Sequence, residues 1–237
     1  MSETQSLSEQ RSNFVIPPGI YHALYRASEF IGGETWGDNV GAYTEIVKSI
    51  PEDARKRGVL RMLLLGSATS TSIEDALATL DDWKSQGIIS DGKLTVIDIS
   101  TKGLDRNLKD RVDFVQADIR NLPLKEGQFN FVTSDYILNF VPLEQIQKTL
   151  QGLSMLLAKD GILAMSIDTK KRNWISRITG KLFVPHGLTR DGLDNLIPEG
   201  NVPIKTFAAI SKGAAKINNL ASDRIVWGFQ RQLAKAA

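Results

Sequence analysis

The stretch from residue 59 to residue 100 constrains this chain most. "VLRMLLLG" (59–66) is a short apolar run closed by glycine, the form of a strand buried on both faces. "TSIEDALATLDDWKSQG" (71–87) reads as a helix, with Ser72 as N-cap, Asp75 three residues on, and Gly87 as the stop. "KLTVIDIS" (93–100) is a second buried strand. A strand, a crossover helix and another strand make a unit whose strands run parallel.

The pattern then repeats. "RVDFVQAD" (111–118) predicts a third strand and "QFNFVTSDYILNF" (128–140) carries a fourth. "PLEQIQKTLQGLSMLLAKDG" (142–161) opens on Pro142 and ends at Gly161. Ile146, Leu150, Leu153, Leu156 and Leu157 form its apolar stripe, so a helix is expected there. "GILAMSID" (161–168) is the fifth strand. "TRDGLDNLI" (189–197) predicts a short helix capped by Thr189, and 201–210 and 223–232 read as two final strands, the last antiparallel. The expected fold is α/β and doubly wound: a mostly parallel seven-stranded sheet with helices on both faces.

Ahead of this domain, residues 1–13 are Ser-, Gln- and Glu-rich and are expected to be disordered. Residues 14–55 predict an N-terminal helical segment, with helix spacing from Ile20 to Ala27 and a second helix over 38–50 closed by Pro51. The main domain is placed at 56–237, with a basic, irregular insert at 169–188.

Composition removes several function classes. No cysteine is present, which excludes disulfides, thiolate metal sites and a cysteine nucleophile. His22 and His186 are the only histidines, too few for a multi-histidine metal centre, so no metal is expected. The 29 Lys+Arg against 27 Asp+Glu give a net charge of +2, which is no nucleic-acid footprint. No apolar run is long enough to span a membrane, and the polar N-terminus has no signal-peptide core. The expected location is the cytoplasm.

In an open parallel sheet a ligand binds beyond the carboxyl ends of the strands. The residues expected there are Gly66, Ser67, Ala68, Thr69 and Ser70 after the first strand, and Asp98 and Ile99 after the second. Asp118 and Ile119 follow the third, and Ser134, Asp135, Tyr136 and Asn139 the fourth. A carboxylate ending the second strand can accept both hydroxyls of a ribose. One after the third can accept the exocyclic amine of adenine. Each residue also has a plainer reading: Gly66 as a strand-to-helix turn, Asp98 and Asp118 as helix caps. The joint pattern separates the readings.

With these residues in place, the chain resembles the class I S-adenosylmethionine-dependent methyltransferases. "LLLGSATS" stands where that family has a glycine-rich "LGxGxG" turn, and Ala68 and Ser70 replace two of its glycines. "LTVIDIS" matches its second strand, so the resemblance gives Asp98 the ribose-binding role. "VDFVQADIRNLPLKEGQFNFVTSDYILNFVP" places Asp118 and Ile119 on the adenine-binding positions. The resemblance implies S-adenosylmethionine as cofactor and Gly66, Ser67, Ala68, Thr69, Asp98, Ile99, Asp118, Ile119, Ser134 and Asp135 as its site. It also implies that the helical segment 14–55 serves as a lid; Tyr21, Tyr25, Trp36 and Asn139 are candidate substrate contacts, and His186 and Tyr136 are the catalytic candidates. "TSDY" replaces the "NPPY"-type motif that would point to a nucleobase amine, so a small-molecule acceptor is expected. Two rivals stay open: a cofactor-binding protein that does not methylate (cyclase-type or regulatory), and a nicotinamide-dependent oxidoreductase. "GSATSTS" is a poor phosphate cradle for the latter.

Overall fold

The computed structural model describes residues 36–66, 70–100, 105–135, 137–170, 188–208 and 222–232. One sheet organises them. Its strands are β1 (Val59–Leu65), β2 (Asp91–Asp98), β3 (Asp113–Gln116), β4 (Phe129–Asp135), β5 (Leu157–Lys170), β6 (Asn201–Pro203), β7 (Phe207–Ala208) and β8 (Ser222–Arg231). Their order is β3-β2-β1-β4-β5-β8-β6, with β7 also on β8. The first five are parallel, and β8 is antiparallel to β5. Strand order reverses beside β1, which pairs with β2 on one edge and β4 on the other.

The sheet has eight strands where seven are expected from sequence. β6 and β7 lie end to end against β8. The pairing shifts by one residue between Pro203↔Phe229 and Phe207↔Val226. Pro203 has no N–H to donate, so this edge is where an interruption is tolerated.

Helices cover both faces. On one, α1 (Val40–Ser49) buries Tyr43, Ile46 and Val47, and α3 (Ser70–Ser85) buries Ile73, Ala76, Leu80 and Trp83. These pack with Met62, Leu64, Val96 and Phe131 of the sheet. Between them the short α2 (Glu52–Lys56) starts on Pro51. On the other face, α5 (Leu143–Leu156) buries Ile146, Leu150 and Leu153 against Leu63, Leu65, Val132 and Met165. Two further short helices, α4 (Arg106–Lys109) and α6 (Arg190–Leu193), are capped by the side chains of Asp105 and Thr189. The capping role expected of Thr189 is met by a bond from Gly192 N at 3.2 Å.

Two boundaries differ from the sequence reading. α3 begins at Ser70, so Ser72 is a buried helical residue and not the cap. α5 stops at Leu156, not Gly161, because Leu157 turns straight into the sheet and pairs with Phe129. Leu157 fits the helical stripe by spacing, yet it is a strand residue. The "AKDG" that follows is a bulge, with Asp160 at φ 61°. No helix of the described residues is long and apolar enough to cross a membrane.

Candidate cofactor site

The carboxyl ends of β1 to β4 meet in one place. Gly66 N donates to Ile97 O at 2.7 Å, which fixes the turn against the end of β2. Leu65, just before it, is paired with Ile97 on one side and Ser134 on the other. Asp98 pairs with Gln116, and Asp98 O accepts from Ala117 N at 3.1 Å. Neighbouring strands lie about 4.8 Å apart. Gly66, Asp98 and the start of the loop carrying Asp118 therefore lie about 10 Å from end to end, the scale of a nucleoside.

Gly66 has φ +66°, a conformation open to glycine and strained for other residues. A Cβ there would also fall 2.4 Å from Ile137 Cδ1. Ile137 begins the 3-10 turn after β4 (Ile137–Phe140), so that turn leans over the glycine. The positive φ is what favours glycine here; the close approach is to the flexible end of Ile137, which a small shift relieves. Ser67, Ala68 and Thr69 lie outside the described residues. Ser70 opens α3, and its Oγ accepts from Asp105 N at 2.9 Å.

Asp98 is 6% exposed and accepts from the backbone N–H groups of Ser100, at 2.8 Å, and Ile99. No cation among the described residues pairs with it. Burial pushes its carboxyl up to about 7, against an ordinary 3.8; the two backbone donors pull it back only in part. Ile99 is half-buried, and its carbonyl accepts from Gln116 Nε2 at 3.1 Å.

Asp118 and Ile119 are both buried. Asp118 turns the chain, as a cap would: Oδ1 accepts from Arg120 N at 2.9 Å, and its carbonyl accepts from Asn121 N at 3.0 Å. Its carboxylate is also paired with the Arg120 guanidinium. Ile119 packs with Leu65, Ile97 and Ala117.

Ser134 is fully buried, and its Oγ has no hydrogen-bond partner among the described residues. Asp135 Oδ1 accepts from Tyr43 Oη at 3.2 Å. Tyr43 also lies 2.9 Å from Ser166 Oγ, which accepts from Asn39 Nδ2 at 3.2 Å. This buried polar chain ties α1 to the ends of β4 and β5. Burial, followed by the charge of Asp135, holds the Tyr43 phenol well above its usual range. Sequence reasoning missed Tyr43, although its helical spacing with Ile46, Val47 and Ile50 marks an inward face.

Trp36 is 0% exposed, stacks on Tyr43 with ring centroids 4.9 Å apart, and donates Nε1–H to Thr133 Oγ1 at 3.1 Å. It is a strut between the N-terminal segment and β4, with no surface to offer a substrate. Asn139 lies in the 3-10 turn after β4. Tyr21, Tyr25, Tyr136 and His186 lie outside the described residues.

Residues 78–165 match the family model for a methyltransferase domain. The matched stretch contains Asp98 and Asp118 and begins inside α3, beyond the Gly66 turn. No curated protein sequence matches the chain. Several solved structures share its fold. The [4+2]-cyclase SpnF superposes with TM-score 0.56 at 15% identity, over 81% of this chain and 81% of its own. Geranyl diphosphate C-methyltransferase from Streptomyces coelicolor A3(2), in complex with Mg2+, geranyl diphosphate and S-adenosyl-L-homocysteine, gives 0.56 at 10% identity, over 81% and 77%. N-methyltransferase NodS from Bradyrhizobium japonicum WM9, with S-adenosyl-L-homocysteine bound, gives 0.51 at 15% identity, over 80% and 86%. Family model and fold together bear out the resemblance to class I S-adenosylmethionine-dependent methyltransferases and the Rossmann-like architecture.

Proposed function

We propose that this protein binds S-adenosylmethionine and transfers its methyl group to a small-molecule acceptor in the cytoplasm. One observation carries the reading. Asp98 is a buried carboxylate, without a cationic partner among the described residues, at the strand end next to the switch point. A buried acid in that state is a poor structural element, because its charged form is desolvated and under-bonded. The two hydroxyls of a ribose would supply the missing donors. The orphan hydroxyl of Ser134, on the other side of β1, is a second unmet capacity in the same place.

The bound sulfonium supplies an electrophilic methyl group, so the protein's work is positioning and exclusion of water. Asp98 holds the ribose, the Gly66 turn admits the backbone's close approach, and Ser134 and Asp135 border the reacting end. Ser67, Ala68 and Thr69 are assigned to the same cofactor contacts by the resemblance. In this reading the segment 14–55, with Tyr21 and Tyr25, has the role of a lid. In the same reading the acceptor belongs with the insert at 169–188, which carries His186, and with Tyr136 and Asn139 after β4.

A second reading is a protein that binds the cofactor without methylating. Ala68 and Ser70 in place of glycines favour it, and a similar fold occurs in the cyclase SpnF.

Calorimetric titration with S-adenosylmethionine and S-adenosylhomocysteine tests binding. Asp98→Ala removes two hydrogen bonds to a charged group and is expected to weaken affinity about 100-fold. Binding of NAD in place of both would end the proposal. Release of S-adenosylhomocysteine across a panel of metabolites separates methyl transfer from binding alone.

A further inference from the structure

The base end of the site is built differently from the ribose end. Oδ1 of Asp118 accepts from Arg120 N and from Arg120 Nε, each at 2.9 Å. Oδ2 accepts from Nε at 2.9 Å and from Nη2. A carboxylate offers about four acceptor directions; three N–H groups of one arginine, with the single Nε–H shared between both oxygens, occupy most of them, and burial closes off the rest. The pair is withdrawn from water: the Asp118 side chain is 2% exposed and that of Arg120 12%. Nη1 of Arg120 donates to Gln145 Oε1 at 3.1 Å, so the guanidinium also braces the loop after β3 to the first turn of α5.

An adenine amine would have to displace this guanidinium to reach Asp118. It is a neutral donor offering one hydrogen bond. The guanidinium is charged and offers a fork of them, which is the stronger class of interaction. Its displacement would also break an ion pair largely withdrawn from water. The amine loses that exchange.

We infer that Asp118 does not read the six-amino group of the base, and that the nucleoside site tolerates change at that position while Asp98 anchors the ribose. The inference rests on the cofactor reading above. It makes Arg120 a specificity-determining residue: it masks the carboxylate that the resemblance assigns to the adenine amine.

The test compares two probes by calorimetry, S-adenosylhomocysteine and its analogue with purine in place of adenine, which lacks the amine. The wild type is expected to bind both within about fivefold, less than a hydrogen bond to an ionised group is worth. Asp118→Asn is expected to leave that ratio where it is. Arg120→Met frees the carboxylate and is expected to raise the preference for the amine to about tenfold or more. A preference above about fivefold in the wild type overturns the inference, as does an unchanged ratio in a folded Arg120→Met protein. If Arg120→Met does not fold, the wild type and Asp118→Asn decide the matter alone. Failure of both probes to bind the wild type overturns the cofactor reading itself, a result distinct from discrimination between them.

Discussion

Asp98 ends β2 and Asp118 lies just beyond its partner strand β3, both buried, and the protein treats them in opposite ways. Asp98 is held by backbone donors and carries a carboxyl raised to about 7 by burial. Asp118 is gripped by the guanidinium two residues on. Position at a strand end determines where an acid can meet a ligand. What surrounds it determines whether it is free to do so. On the reading proposed above, Asp98 is left to a ribose while Asp118 is taken up by the chain itself.

The contrast can be broken most forcefully at Arg120. Arg120→Met leaves the Asp118 carboxylate buried without its partner and is expected to lower the unfolding free energy by about 3–5 kcal/mol. Urea denaturation at pH 7 measures it. A loss under about 1 kcal/mol would show that the pair behaves as a solvated surface pair.

Asp98 should give the opposite response. Its folded carboxyl lies near 7 and its ordinary value is 3.8. Below 3.8 the acid is protonated in both states and carries no penalty. Between 3.8 and 7 the unfolded chain ionises while the folded one holds its proton, so stability falls as pH rises and levels off above 7. The fall is at most about 4 kcal/mol. Asp98→Asn, followed by thermal melts from pH 4 to 8, should remove that part of the slope. An identical slope in both proteins would mean that Asp98 is not desolvated.

A smaller effect sharpens the open side. Gly66→Ala places a Cβ at φ +66° and against Ile137 Cδ1. The backbone term alone is about 1–2 kcal/mol. Ile137→Ala in the same protein should recover the steric part and leave the backbone part. Complete recovery would mean that the φ is relaxed.

Much of this molecule is legible in its sequence, for identifiable reasons. Strands buried on both faces write themselves as apolar runs, so β1, β2 and β4 are found from composition alone, each ending within a few residues of its expected place. Leu157 shows where such reading stops. A leucine at helical spacing can belong to the next strand, and only pairing with Phe129 decides. The split between β6 and β7 depends on a bulge at Ile204–Thr206 that leaves no strong mark. At the site, Asp98 and Asp118 are nominated by register, but "ADIR" does not reveal that Arg120 folds back onto Asp118. That contact needs the turn closed by Asn121 N to Asp118 O. Trp36 looks like a candidate contact because aromatic residues line pockets. Its burial under Tyr43 comes from the path of α1 across the sheet.

The most direct measurement is the affinity for S-adenosylhomocysteine as a function of pH, from 5.5 to 8.5, in the wild type and in Asp98→Asn. A ribose that completes the ionised carboxylate binds the deprotonated site. Affinity should therefore rise about tenfold per pH unit up to about 7 and then level off, with a proton released on binding at the acid end. Asp98→Asn should bind more weakly and with no such slope. A wild-type affinity that stays flat with pH, or a slope that survives in Asp98→Asn, would contradict the placement of the ribose on Asp98.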